Sequence, residues 1–516
     1  MLKNIWIVDF GSQYTQLITR KFRELGHASL IITVEKAFEL IQAGERPSAF
    51  VLSGGPQSVF EDQTDYSPIF NLQLPVLGIC YGMQLIGQYF GGMVEKGLIG
   101  EYGHSQVHFK NDFNIQHVPS SFSVWMSHSD HVAQMPKGFQ VILESANGLV
   151  AGIENLNQKI MALQFHPEVH HSQYGSEVLQ FFLEHVAQLK PNWDNQTIMQ
   201  SCLEVVKQAQ GKKVLCAFSG GVDSLVAAVM TAKLIQQDLY CFFVDNGLLR
   251  PQDHHHIETL KKNTKLNIEV IDAKDIFYKR LADLNDPELK RKAIGATFIE
   301  VFESKVHEFE KQRNIHFDYL LQGTLYPDVI ESISPHGKSQ GKSVTIKSHH
   351  NVGGLPERMK LKLLEPLRFL FKDEVRALGM ELGLKRDWVY RHPFPGPGIG
   401  VRVLGEIKPD SVRKVQESDQ ILFEELLLAG LYNSTWQAFT VLLPVKTVGV
   451  KGDGRAYEEV ISLRMVNSRD GMTATFTELP WEFLAKVSNR ITNEVKGITR
   501  VVYDITSKPP GTIEWE

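Results

Sequence analysis

The sequence predicts two consecutive α/β domains with mostly parallel sheets, followed by a smaller C-terminal α+β domain. Three observations lead there. Short apolar runs alternate with helix-like patterns in the first third of the chain. A second α/β region opens at Val214–Phe218, an apolar run that enters a glycine-rich turn and then a breaker-free helical stretch. A proline-rich break, Arg391-His392-Pro393-Phe394-Pro395-Gly396-Pro397-Gly398, precedes a last region of helix and longer strand-like runs. At 516 residues the chain is too long for a single core. The polar stretch Lys190–Asn195 carries a proline and marks the first boundary. The proline-rich break can be neither helix nor central strand, and it reads as an interdomain hinge. The expected domains are residues 1–191, 192–393 and 394–516.

Composition narrows the function classes. A net charge of −5 without a sustained basic block argues against nucleic acid as a partner. Cys80, Cys202, Cys216 and Cys241 show no Cys-x-x-Cys pairing and no zinc spacing. Free thiols in a reducing compartment follow, so a cytoplasmic location is expected. Leu2–Asp9 reads as a strand interrupted by a charge, not as a signal peptide. No apolar run reaches membrane-spanning length, so no membrane partner is expected.

The first domain alternates strand-like Ile5–Val8, helical Gln13–Leu25, then Leu30–Ile32, Phe50–Leu52 and Val76–Ile79. The last run enters Cys80-Tyr81-Gly82-Met83-Gln84. Gly78-x-Cys80-x-Gly82 is the cysteine form of a nucleophile elbow, in which small neighbours permit a sharp strand-to-helix turn. A helix N-terminus beneath the sulfur favours thiolate. A cysteine nucleophile needs a base, and the base an orienting carboxylate. Ile160–Phe165 reads as a strand that delivers His166-Pro167-Glu168 to the same sheet edge. Together with Ser53-Gly54-Gly55-Pro56, these segments resemble the triad-type glutamine amidotransferases. The resemblance implies Cys80 as nucleophile, His166 as base and Glu168 as orienter. It places an oxyanion hole at the backbone N–H groups of Gly55 and Tyr81. It assigns glutamine binding to Gln84 and to Ser127 and His128, within Ser127-His128-Ser129-Asp130-His131.

The second domain begins with a helix near Thr197–Gln210, then the strand Val214–Phe218 and Ser219-Gly220-Gly221-Val222-Asp223-Ser224. Free N–H groups and the helix dipole meet at that turn, which suits an anion. The Gly-Lys-Ser/Thr ending of a Walker A loop is absent. The hexapeptide resembles the pyrophosphate loop of the ATP pyrophosphatases. That implies ATP binding by Ser219, Gly220, Gly221, Val222, Asp223, Ser224 and Leu225, with Asp223 on Mg²⁺. No organic cofactor is expected. Leu239–Val244 with Asp245-Asn246-Gly247, and Leu320–Thr324, bring further turns to the nucleotide edge. Consecutive helical residues point in different directions, so His254-His255-His256 reads as a solvated face and not a metal site. Ser332–Ser348 reads as a lid that brings Lys347 to the phosphates.

The third region shows a helix near Val412–Ala429, strand-like Phe439–Leu443, Thr447–Val450 and Glu459–Met465, a helix near Trp481–Val495, and Arg500–Ile505. Its rigid, charged end with Trp515 reads as a docked tail. Tyr326–Ser332, Ile346–Pro356 and the ending Lys508-Pro509-Pro510 through Ile513-Glu514-Trp515-Glu516 join the earlier motifs in resembling the glutamine-hydrolysing GMP synthetase family, from first strand to last residue. The resemblance implies ATP-dependent amination of XMP to GMP through an adenylyl-XMP intermediate, the last step of de novo guanine nucleotide synthesis. Glutamine supplies the ammonia; AMP, pyrophosphate and glutamate are released. It places XMP contacts on Arg291, Gln437, Lys508 and Glu514, and a homodimer through the last domain. Two alternatives are weighed. A glutamine-dependent NAD or asparagine synthetase would carry a Glu-Lys-Cys set or an N-terminal cysteine. A non-catalytic sensor would have no need of an intact triad and loop.

Overall fold

The structure is a computed structural model that describes residues 4–333, 360–451, 454–468, 471 and 473–516. The described residues divide into two compact units, 4–198 with 327–333, and 199–326 with those from 360 on.

The first unit is built on one nine-stranded sheet. Its strands are β1 (Ile5–Asp9), β2 (Ser29–Thr33), β3 (Ala49–Leu52), β4 (Val76–Ile79), β5 (Met93–Phe109), β6 (Ser121–Gln134), β7 (Gln140–Ser145), β8 (Val150–Asn155) and β9 (Ile160–Leu163). The order is β2-β1-β3-β4-β9-β8-β7-β5-β6. From β2 to β9 every pairing is parallel. From β9 to β6 every pairing is antiparallel. The central parallel strands are short and apolar because both faces are covered. β3, β4 and β9 are buried along their whole length. β6 alternates between buried and exposed positions, as a strand with one wet face should. That antiparallel half is the part that sequence periodicity had not resolved.

The second unit holds a five-stranded parallel sheet: β10 (Val214–Ala217), β11 (Leu239–Asp245), β12 (Asn267–Asp272), β13 (Tyr319–Leu321) and β14 (Lys362–Leu364). The order β12-β11-β10-β13-β14 reverses direction at β10. The crevice at such a reversal is where doubly wound sheets bind ligands. A further sheet combines β15 (Gln437–Lys451), β16 (Gly454–Asn467), β17 (Thr475–Phe476) and β18 (Ile498–Asp504). The two expected strands Phe439–Leu443 and Thr447–Val450 are one strand, β15, with an irregularity between Leu443 and Lys446 where Pro444 cannot donate.

One hydrophobic core runs through both sheets of this unit, from Leu215 and Phe242 to Ile461, Leu463 and Val487. The segment expected as a hinge crosses that core and is packed. Arg391 pairs with Asp253 at 2.7 Å, and the His392 ring stacks on Tyr432 with centroids 3.9 Å apart. Phe394 lies between the guanidinium groups of Arg250 and Arg402. The prolines forbid regular structure there, but the aromatic and charged side chains between them anchor it.

Candidate active sites

Cys80 follows β4 and caps the helix Tyr81–Tyr89, with φ +53° and ψ −106°. Few non-glycine residues adopt positive φ, and strain of this kind gathers at functional sites. The flanking glycines permit it. A Cβ on Gly82 would lie 2.2 Å from the Leu52 carbonyl oxygen, and one on Gly78 would lie 2.6 Å from the Gly82 carbonyl oxygen. Two backbone hydrogen bonds hold the turn, Cys80 N to Leu163 O at 2.7 Å and Gly82 N to Ser53 O at 3.1 Å. The elbow is therefore tied to β9 on one side and to the turn after β3 on the other.

His166 follows β9, the neighbour of β4. Its Nδ1 lies 2.8 Å from Glu168 Oε1, and both side chains are buried. Burial pushes the imidazolium down, but the Glu168 carboxylate and the Cys80 sulfur outweigh it and hold its pKa well above the usual histidine range. Tyr14 packs edge-on against the imidazole, with centroids 4.9 Å apart. Cys80, Tyr81, Gly55, Gln84, Ser127, His128 and His166 all line one cavity of about 640 Å³. Among the described residues no acceptor meets the N–H of Gly55 or of Tyr81. Gln84 is buried, and its Nε2 donates to the Asp130 carbonyl at 2.8 Å. It braces the wall of the cavity from within.

At the other site Gly221 caps the helix Val222–Ile235, and Gly220 has φ +73°. The hydroxyls of Ser219 and Ser224 lie 3.0 Å apart, and Ser219 Oγ accepts from Gly221 N. A Cβ on Gly323, just past β13, would lie 2.9 Å from the Asp223 carbonyl carbon, so that turn closes onto the loop. Asp223 Oδ2 pairs with Lys372 at 2.5 Å. Asp223 Oδ1 is buried with no partner among the described residues. Such an oxygen suits Mg²⁺, which typically takes one or two carboxylates together with substrate phosphates. The described residues contain no group of three or more His, Cys, Asp or Glu side chains placed to hold a metal ion.

Of the three consecutive histidines only His255 is fully on the solvated face; His256 is buried, with Nε2 3.2 Å from the Gly220 carbonyl oxygen. Burial is the main reason its pKa falls to about 4, with Arg391 adding repulsion. Lys347 and the expected lid beyond Ile333 lie outside the described residues.

The expected XMP residues divide. Gln437 Nε2 donates to Glu514 Oε1 at 2.8 Å. The buried Arg402 pairs with the same carboxylate at 3.0 Å. Glu516 pairs with buried Lys290 on the helix Pro287–Arg313. Burial lifts the Glu516 carboxyl, and Lys290 and Arg291 oppose that. The tail is thus docked, with Trp515 Nε1 donating to Asp504 at 3.0 Å. Lys508 instead donates to the Gly471 carbonyl at 2.7 Å. No motif marks Arg402, Lys290 or Lys372, and the histidine run does not mark the contact His256 makes; their partners lie between 36 and 226 positions away in sequence.

A cysteine elbow beside a His–Glu pair, on the same chain as a Ser-Gly-Gly-x-Asp-Ser loop at a sheet reversal, defines a glutamine amidotransferase joined to an ATP pyrophosphatase. Comparison with known proteins agrees. Residues 6–186 match the family described as glutamine amidotransferase class-I, residues 195–294 match NAD synthase, and residues 424–515 match the GMP synthase C terminal domain. The glutamine-hydrolysing GMP synthase of Chlorobaculum tepidum is 51% identical over 100% of this chain and 99% of its own length. That of Chlorobium phaeovibrioides is 51% identical over the full length of both. That of Campylobacter lari is 49% identical over 99% of each. The chain belongs to the family of glutamine-hydrolysing GMP synthases.

Proposed function

We propose that this enzyme aminates XMP to GMP, using ATP and ammonia drawn from glutamine. The observation that carries this reading is the presence of both sites on one chain that ends in a GMP synthase C-terminal domain. Cys80 is the nucleophile. His166 takes its proton, and the resulting imidazolium faces Glu168. The thiolate attacks the side-chain carbonyl carbon of glutamine. Negative charge collects on the carbonyl oxygen, where the N–H groups of Gly55 and Tyr81 receive it. The imidazolium returns its proton to the departing ammonia. Water then cleaves the thioester to glutamate and restores the thiol. Gln84, Ser127 and His128 hold the substrate glutamine.

In the second unit the loop Ser219–Leu225 receives the ATP phosphates, and Asp223 holds Mg²⁺, which neutralises phosphate charge when bound. Lys347 completes this site. The C2 oxygen of XMP attacks the α-phosphorus and pyrophosphate leaves. Ammonia attacks C2 of the adenylylated XMP, and AMP leaves with the oxygen. Arg291, Gln437, Lys508 and Glu514 bind XMP. The working division is residues 1–191, 192–393 and 394–516. The last of these forms a homodimer. In support, Val448 and Val450 on β15 and Tyr457 on β16 are 57%, 76% and 66% exposed and adjacent. No described helix is long and apolar enough to cross a membrane, and the enzyme works in the cytoplasm. The test is AMP and GMP formation from ATP, glutamine and XMP. AMP formation without XMP, or none with it, would overturn the reading.

A further inference from the structure

Behind the wall of the glutamine cavity lies a second Glu–His pair, with a different geometry from the first. On β5, pairing with β6 breaks after Lys96↔Asp130 and resumes at Glu101↔His128. Both partners at that restart are buried. His128 Nδ1 lies 3.0 Å from the Asp130 carbonyl oxygen, and Nε2 lies 3.1 Å from Glu101 Oε2. A carbonyl has no proton to give, so Nδ1 donates. Nε2 then faces Glu101, and burial disfavours the imidazolium. Every ring nitrogen is engaged. The other oxygen of Glu101 accepts from Ser145 Oγ at 2.9 Å and from Asn147 Nδ2 at 2.7 Å.

This network ends on the wall of the site. The Asp130 carbonyl that receives His128 also receives Gln84, one turn along the helix that begins at the elbow. The Asp130 carboxylate accepts from Ser58 Oγ at 2.6 Å, in the segment after the oxyanion turn. Ser127 O lies 3.7 Å from Cys80 Sγ. The edge 127–130 is thereby clamped from three elements. Glu101 itself does not line the cavity. Its influence passes through His128.

We propose that Glu101 is a positioning residue for glutamine: through His128 it fixes the Ser127–Asp130 wall against which the substrate is held. This rests on the glutaminase reading above. His128 is held through both ring nitrogens, so the role lies in hydrogen-bond geometry and not in charge. Glu101→Gln keeps an acceptor for Ser145 and Asn147 and offers Nε2 a donor. Glu101→Leu offers neither.

The experiment measures glutamine-dependent and ammonium-dependent GMP formation in both variants. For Glu101→Leu we expect KM for glutamine to rise roughly tenfold or more, with kcat within about threefold and ammonium-dependent synthesis unchanged. For Glu101→Gln we expect KM within about twofold of wild type. An unchanged KM in Glu101→Leu would overturn the proposal. So would equal damage in both variants, since that would make charge the operative property. Should Glu101→Leu fail to fold, the double variant Ser145→Ala/Asn147→Ala unloads the far oxygen of Glu101. A KM rise of about threefold is then expected, and none would overturn the proposal. Wild-type GMP formation tests the glutaminase reading separately.

Discussion

The two reaction sites solve opposite problems. At the elbow, Cys80, His166 and Glu168 are buried, and backbone contacts lock them before any substrate arrives. At the pyrophosphate loop, Ser219 and Gly221 are exposed, and Asp223 and Ser224 are half-exposed. A covalent mechanism needs a nucleophile and base at fixed separation, so rigidity is built into the sheet. Phosphate recognition relies on N–H groups and hydroxyls at a helix end, and the ligand itself supplies the order. Buried polar contacts therefore matter most at the first site, and backbone conformation with one carboxylate at the second.

The sharpest way to break this comparison is a reciprocal pair of variants. Cys80→Ala should reduce glutamine-dependent synthesis to background while ammonium-dependent synthesis persists. Asp223→Ala should remove synthesis with either nitrogen source. Loss of both activities in folded Cys80→Ala would show that the sites are not separable.

Next in size is Glu168→Gln. Neutralising the orienting group should lower glutaminase kcat roughly a thousandfold or more. It should also move the alkaline limb of the glutaminase pH profile downward. In wild type the Glu168 and Cys80 charges keep His166 protonated to a pH well above the usual histidine range. Removing one of those charges lets it deprotonate at lower pH. A limb that stays in place would assign it to another group.

Glycine substitutions sharpen the comparison at the level of the backbone. Gly82→Ala meets the Leu52 backbone, which cannot yield, and should destabilise the first unit by roughly 3 kcal/mol or more. Gly220→Ala meets the flexible end of Ile257 at 2.6 Å and carries a positive-φ penalty, together about 1–2 kcal/mol. Denaturant unfolding of each variant measures the difference. Equal costs would remove the contrast in rigidity.

His256 tests the second site against acid. Its folded pKa of about 4 lies below the ordinary value of about 6.5. Its neutral form therefore contributes stability above pH 6.5, and that contribution is lost as pH falls from 6.5 toward 4. The amount is on the order of 2 kcal/mol, after allowing for partial solvent contact. His256→Gln should flatten the acid dependence of the second unit's unfolding, and an unchanged slope would exclude the buried neutral form. The smallest effect should come from Lys372→Ala. Its pair with Asp223 is partly exposed, so stability should change by less than about 1 kcal/mol in thermal unfolding.

What the sequence determined by itself was local. The elbow around Cys80, the His166–Glu168 strand end and the loop Ser219–Ser224 are each a run of a few residues whose backbone needs are written in their glycines, prolines and hydroxyls. Most parallel strands were readable because a strand covered on both faces is a continuous apolar run; β12 and β14, with polar exposed positions, were not. The docked tail was readable from its rigid, charged composition. Tertiary structure decided what depends on distant pairing. β5 to β8 joined the sheet as an antiparallel extension, and only register across it puts Glu101 opposite His128. His256 left the solvated face because helix Pro251–Asn263 packs it onto Gly220. Arg402 meets Glu514 across 112 positions, and the proline-rich segment between the sheets was anchored against the core when Arg250 and Arg402 closed on Phe394. A motif declares its own backbone. A buried ion pair declares itself only when two distant segments have removed the water between them.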